Sequence, residues 1–353
     1  MRSLIIQTSF LGDMVLTTPL IRELAARGPV DVVATPENAA LLKHHPDVRH
    51  LFRFDKRGAH AGARGFRELV RLAHAEDNDD TAFLAQGSIR SAALALAAGY
   101  SHRVGFDSSA GRWLYTQRVP YHRQHHHAER LWSLAGYGES ERPTAEVLRP
   151  SLYPGADDLE SVQRLLDVHA HAGEPLLAIA PGSTWATKRW PYYAALARRL
   201  TLLGRVVIIG AESDAPLAQE IVAETFGSAI DATGQLSLLA STAMIARAAV
   251  LVTNDSAPLH LASATNTPTV ALFGPTVTAF GFGPLASARQ VAEVSMLDCR
   301  PCDAHGPRSC PLGHWRCMRD LTVSEVLDAV EAVRRDVNDV NDMNDMRDDG
   351  SRA

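Results

Sequence analysis

Cysteine is scarce in this 353-residue chain: there are four, all between positions 299 and 317, and aromatic side chains make up only 6% of the whole. Thiols confined to one short stretch exclude a small disulfide-stapled scaffold, so the fold must rest on apolar burial. No segment approaches the ~20 consecutive apolar residues that span a bilayer. The longest alanine-rich run, 92–99, has the length of a buried helix. The chain enters an apolar run at once, without the basic, apolar and small-residue parts of a secretory signal, and a cytoplasmic location is expected. Also missing are the Gly-x-Gly-x-x-Gly turn of dinucleotide-binding domains and the glycine spacing of a P-loop. A nicotinamide-dependent oxidoreductase, the natural rival for a Rossmann-like pattern, is thereby disfavoured.

What is present is ordinary for a folded protein, 46% apolar and 21% charged residues, in a chain long enough for two domains of ~150 residues. The net charge of −5 is unevenly spread, since residues 1–150 carry 19 Lys and Arg against 16 Asp and Glu. Arg49, Arg53, Lys56, Arg57, Arg64, Arg67 and Arg71 form a basic belt. It reads either as a solvated helix face with loop charges or as a surface that meets an anionic partner. Aromatic residues do not interleave with it, so no nucleic acid is expected; a phosphorylated acceptor or an anionic membrane surface suits it better.

Apolar runs alternate with helical periodicity throughout, the pattern of parallel sheets with crossover helices. The first series predicts strands at 3–8, 30–34, 48–54, 81–85 and 103–106, with helices at 14–27, 38–45, 64–76 and 88–98. Pro19 should kink or shorten the first of these helices. A stretch rich in Pro, Glu and Gly at 141–155 marks a boundary. After a helix at 157–171, strands are predicted at 176–180, 205–210, 249–253, 269–273 and 290–294. Helices are predicted at 190–203, 215–226, 238–246, 258–264 and 323–335. The expected architecture is α/β, with Rossmann-like lobes over 1–150 and 151–335 facing a central cleft. Residues 336–353, which repeat Asn-Asp, are expected to form a disordered tail.

Several loops carry chemistry. Ser9-Phe10-Leu11-Gly12-Asp13 follows the first apolar run and brings Asp13 to a helix N-terminus at the carboxyl end of a central strand, where open α/β sheets bind ligands. The helix dipole favours an ionised carboxylate there. Facing a cleft, Asp13 could accept a proton; otherwise it only caps the helix. In "APGSTWATKRWP", Ser183 and Thr184 offer backbone and hydroxyl donors and Lys188 a full positive charge. That set suits a pyrophosphate, the plain alternative being a Gly-Ser turn with a surface lysine. Glu212 stands just past a strand in "IIGAES", able either to bind ribose hydroxyls or to serve a helix dipole. "VTNDSAPLHLASA" sets Asn254, Asp255, Ser256 and Ala257 between strand and helix. Asp255 could cap that helix or orient a sugar hydroxyl, and His260 could reach a phosphate or simply be packed. Together these loops describe a nucleotide-diphosphate site, and Gly274-Pro275-Thr276 adds a further loop on the same edge.

With "GDMVLTTP", "GSIRS", "HRVGF", "PGSTWATKRWP", "TNDSAPLHLASA" and "LFGPT" in order, the chain resembles the lipopolysaccharide heptosyltransferases of glycosyltransferase family 9 to about residue 335. The resemblance implies a GT-B fold, an acceptor-binding first lobe and a second lobe for ADP-heptose, with no cofactor and no catalytic metal. It implies a single inverting displacement with Asp13 as general base and Lys188 on the donor phosphates. Glu212 would hold the ribose, and Asp255 with Asn254, Ser256, Ala257 and His260 the heptose and phosphate. Gly12, Arg57, Arg64 and Arg90 are the acceptor-side candidates, the partner being lipid A-core at the inner membrane surface. The wording of the motifs stands nearer the type II enzymes than type I. The rivals are a type I or III acceptor and a non-catalytic nucleotide-sugar binding protein. The family usually has glycine where this chain has Ala257, which narrows the room for a phosphate near the backbone.

Two patterns raise the question of a metal. "EDNDD" at 76–80 contains an Asp-x-Asp arrangement but precedes a strand instead of following one, so a solvated acidic loop is expected. Cys299, Cys302, Cys310 and Cys317 could hold a structural metal as four thiolates, or stay free, or form a labile disulfide.

Overall fold

A computed structural model divides the chain between Tyr153 and Pro154 into two compact units. It describes residues 1–56, 58–136, 142–169 and 173–350, with backbone alone from 337 to 350. The first unit holds β1 (Ser3–Gln7), β2 (Val30–Ala34), β3 (Val48–Arg53), β4 (Thr81–Leu84), β5 (His102–Phe106) and β6 (Gln117–Val119). These form one parallel sheet in the order β3-β2-β1-β4-β5-β6. Its helices are α1 (Leu11–Ala25), α2 (Pro36–Leu41), α3 (Gly62–Leu72), α4 (Ile89–Ala97), α5 (His127–Ser133) and α6 (Ala145–Leu148). Every residue of β1, β2 and β4 is buried, because a parallel sheet is covered on both faces and its strands read as unbroken apolar runs.

The second unit repeats the plan with β7 (Leu176–Ala180), β8 (Arg205–Ile208), β9 (Ile230–Asp231), β10 (Val250–Asn254), β11 (Thr269–Phe273) and β12 (Arg289–Glu293). They pair in parallel in the order β12-β11-β10-β7-β8-β9. Around them lie α7 (Ala156–His169), α8 (Tyr193–Leu200), α9 (Ala215–Glu224), α10 (Leu238–Ala246), α11 (Ala257–Thr265), α12 (Arg316–Arg319) and α13 (Val323–Gly350). Val326, Val330 and Val333 on α13 are fully buried in the core of this unit. The helix continues through the Asn-Asp repeat of the expected disordered tail, whose side chains beyond 336, like residues 351–353, lie outside the described residues.

Counted from each unit's first strand, both sheets have the order 3-2-1-4-5-6. That winding reverses direction between the first and fourth strands and opens a crevice at their carboxyl ends, where doubly wound folds bind ligands. The switch points lie between β1 and β4 in the first unit and between β7 and β10 in the second. Two edge strands, β6 and β9, were not among the predicted ones. At three and two residues, they are too short to show any period.

Three local features differ from expectation for identifiable reasons. Pro19 does not interrupt α1. Proline cannot donate to the carbonyl four residues back, and the Thr18 hydroxyl donates to that Val15 carbonyl instead, at 2.8 Å. The helix also begins at Leu11 with Phe10 as its N-cap residue, not at 14, so Asp13 lies inside the first turn. The acidic loop is not solvated throughout. Asp80 is buried and accepts from the backbone N–H groups of Arg2, Glu76 and Asp77, beside the Arg2 guanidinium. It stands at the amino end of β4, the edge opposite the crevice, where it can serve no ligand bound there.

His45 sits just after α2, buried, with its ring edge-on to Tyr153 at 4.9 Å. Burial pushes its pKa from 6.5 down to about 4, with the Arg22 charge adding to the shift and Asp47 opposing it. The depressed value means that the unfolded chain takes up this proton first as the pH falls. Stability held above pH 6.5 is therefore lost progressively down to about pH 4, by an amount on the order of 3 kcal/mol. Urea unfolding over that window should show the slope, and His45→Gln should flatten it.

Candidate active site

In the first unit the crevice is a pocket of about 200 Å3 lined by Asp13 with Gln7, Ser9, Gln86, Tyr121 and His127, among others. Asp13 is the third residue of α1, so its carboxylate meets the positive end of the helix without being the cap. The Ser9 hydroxyl donates to Asp13 Oδ2 at 2.6 Å, and His127 Nε2 stands 3.5 Å from Oδ1. The strand-to-helix turn that carries Asp13 is pinned from several sides. Asn38 Nδ2 donates to the Ser9 carbonyl at 3.0 Å, Lys56 Nζ to the Thr8 carbonyl at 3.0 Å, and the Thr8 hydroxyl to Gln86 Oε1 at 2.6 Å. The result is a fixed carboxylate in a polar pocket, suited to accepting a proton from a bound hydroxyl. Gly12 is half-buried in the same turn of α1. Arg64 and Arg90 are exposed and line no part of this pocket, Arg90 lying 5.9 Å over the Phe54 ring. Arg57 lies outside the described residues.

In the second unit three loops meet at the switch point. Lys188 ends a one-turn helix (Ala186–Lys188) after β7, and its ammonium donates to Asp255 Oδ2 at 2.6 Å; both side chains are about one-tenth exposed. Thr276, in the loop after β11, donates its hydroxyl to the same oxygen at 2.7 Å. An ammonium has three N–H donors, so a lysine paired with one carboxylate can still hold phosphate oxygens. Asn254 plays a different part from the one expected. It is fully buried, donates to the Pro181 carbonyl at 2.9 Å and accepts from Trp190 N–H at 3.2 Å. Its amide thus staples the β10 loop to the β7 loop and is not available to a ligand.

The remaining predicted residues divide in the same way. Ser183 is buried and its hydroxyl accepts from Trp185 N–H at 3.3 Å, while Thr184 is exposed. Glu212 is exposed at the start of a one-turn helix (Glu212–Asp214) after β8, a position open to a ribose. Behind it, buried Asp214 accepts from Ala211 N–H at 3.1 Å. A Cβ on Gly182 would stand 2.3 Å from Asp214 Oδ2, so any larger residue there would force the buried Asp214 carboxylate to move. Ser256 is the N-cap residue of α11 and Ala257 its first residue. A helical backbone accepts alanine there without strain. His260 is buried within the second turn of α11, its ring 6.3 Å from that of Phe282.

The cysteine segment packs against this site. Cys302 N–H donates to the Pro275 carbonyl at 2.9 Å, Trp315 Nε1 to the Thr187 carbonyl at 3.0 Å, and the Thr187 hydroxyl to the Pro307 carbonyl. The thiols are free, and among the described residues no three His, Cys, Asp or Glu side chains are placed to hold a metal ion. Their environments differ. Burial pushes Cys317 up to about 11; Cys310 is also raised by burial, but backbone N–H groups from Trp315, Leu312, Gly313 and His314 outweigh that and lower it.

Between Cys299 and Cys302 lies a residue that sequence reasoning passed over. The Arg300 guanidinium donates to the carbonyls of Gly274, Thr276 (3.0 Å), Phe273 (3.3 Å) and Val294 (2.6 Å), and to Glu293 Oε2 at 2.8 Å. It therefore fixes the loop that presents Thr276 to Asp255. In sequence it is one arginine in an irregular segment, and nothing local marks it.

The model of glycosyltransferase family 9 (heptosyltransferase) matches residues 70–314. The chain belongs to this family. It is 31% identical over 297 residues to lipopolysaccharide heptosyltransferase 2 of Salmonella typhimurium, covering 78% of this chain and 83% of that protein. It is 29% identical over 314 residues to lipopolysaccharide heptosyltransferase 1 of Pseudomonas aeruginosa, covering 86% of each. The structure of E. coli ADP-heptose LPS heptosyltransferase II aligns with a TM-score of 0.75 at 27% identity, over 96% of this chain and 100% of that one. The two parallel-sheet units are those of the GT-B class.

Replacing Arg300 with alanine leaves a carboxylate and four carbonyls without a shared donor. Breaking such a network should cost about 2–4 kcal/mol, read as a lower urea midpoint with an unchanged slope. Arg300→Lys should restore only part of it, because an ammonium cannot span the planar fork.

Proposed function

We propose that this heptosyltransferase is of type II, moving heptose from ADP-L-glycero-D-manno-heptose to a heptose of the lipopolysaccharide inner core. The observation that carries the reading is the ion pair of Lys188 with Asp255, backed by Thr276, at the switch point of the second unit. It is a cation held where a diphosphate would arrive. The names of the Salmonella and E. coli relatives support the donor and the acceptor class. The wording of the motifs favours type II over type I.

In this mechanism Asp13 takes the proton of the acceptor hydroxyl as its oxygen attacks the anomeric carbon of the heptose. The bond from that carbon to the β-phosphate oxygen breaks, ADP leaves with the electron pair, and the configuration inverts. Charge growing on the departing ADP is assigned to Lys188 and the N-terminus of α11, not to a metal ion. Asp255 supplies the counter-charge to Lys188 before the donor arrives and, with the exposed Glu212, orients sugar hydroxyls. A lipid-linked acceptor brings the work to the inner membrane surface. No helix among the described residues is long and apolar enough to cross a membrane.

Purified protein given ADP-heptose and a heptosylated core acceptor should release ADP, with chelators leaving the rate unchanged. Asp13→Asn should lower kcat by ~10²–10⁴-fold, and Lys188→Ala should weaken donor binding as well as turnover. An Asp13→Asn protein as fast as wild type would overturn the mechanism. Mass spectrometry of core oligosaccharide from a strain lacking the protein tests the acceptor: truncation after one heptose fits type II, and loss of all heptose fits type I.

A further inference from the structure

We infer that His127 is the positioning residue for the base, holding the Asp13 carboxylate in the orientation from which it takes the acceptor's proton; the inference rests on the role proposed for Asp13. The two residues lie far apart in sequence and meet because the start of α5 comes up against the first turn of α1. His127 Nε2 is 3.5 Å from Asp13 Oδ1, with side-chain exposures of 12% and 15%. Both line the same pocket, together with Ser9, Gln86, Ser109 and Tyr121.

The arrangement deals with both carboxylate oxygens separately. Ser9 donates to Oδ2 at 2.6 Å, and the imidazole donates toward Oδ1 through its Nε2–H. Each carboxylate oxygen can accept more than one hydrogen bond, so Oδ1 keeps capacity for the substrate proton. A short side chain on an exposed helix turn has several rotamers open to it. With one donor on each oxygen the carboxylate plane is set, and reorientation no longer precedes proton transfer. Misplacement of a reacting group by about an ångström can cost ~10²-fold in rate. During the reaction the acceptor O–H bond breaks and an Asp13 O–H bond forms. After product leaves, the proton passes from Asp13 to solvent.

The test uses the full-length protein with ADP-heptose and a heptosylated core acceptor. His127→Ala should lower kcat by ~10–100-fold while both KM values stay within about twofold of wild type. His127→Gln, whose side-chain amide also donates, should recover much of the lost kcat. A kcat unchanged in His127→Ala overturns the inference, as does a loss expressed in KM or one that glutamine does not relieve. A crystal structure of His127→Ala provides an arm that does not depend on turnover: the Asp13 carboxylate should rotate away from its present plane, and an unmoved carboxylate also overturns the inference. Wild-type protein that releases no ADP defeats the transferase reading, and the carboxylate's position then still decides the role of His127.

Discussion

A lysine ammonium that is nine-tenths buried needs a counter-charge, and the loops of the second unit are arranged to give Lys188 one. Asp255 supplies it at 2.6 Å from the end of β10, two strand ends converging because β7 and β10 are neighbours at the switch point. Asn254 ties the loops together, Thr276 holds the acceptor oxygen from a third loop, and Arg300 clamps the backbone of that loop. Such a pair is not an efficient way to stabilise a fold. Desolvating two ions costs several kcal/mol each, and well-packed apolar residues often do as well. Its presence at the ligand edge of the sheet, supported by so many polar contacts, is better understood as preparation for a charged ligand.

What could be read in advance follows from where the information lies. The parallel-sheet architecture was legible because buried strands are continuous apolar runs and their crossover helices keep a 3.6-residue period. That Asp13, Lys188 and Asp255 lie at the carboxyl edge was legible because each stands in the turn or loop that follows such a strand, so chain order alone delivers them there. The same rule misled at Asn254, since position along the chain says nothing about which way a side chain turns. Its amide faces the Pro181 carbonyl. His127 and Arg300 were hidden for a further reason. Each acts through a partner from a distant segment, Asp13 for one and the β11 loop for the other, and only the folded chain brings them together. The basic residues picked out by charge alone, Arg64 and Arg90, proved to be exposed and apart from the Asp13 pocket.

The two units have one winding but opposite polarities at their switch points. In the first, the charged group is a carboxylate, approached by a serine hydroxyl on one oxygen and an imidazole on the other. Donors on both oxygens orient this carboxylate toward a bound hydroxyl. In the second unit the charged group is a cation partnered by a full carboxylate, the counter-charge that a desolvated ammonium requires until an anion competes for it. Each environment thus fits the role proposed for its central group, proton acceptance in one and anion retention in the other. Exchanging the two environments would spoil both: a setting without a carboxylate would leave the buried lysine's charge uncompensated, and a full counter-charge in contact with Asp13 would occupy the oxygens that the acceptor must reach.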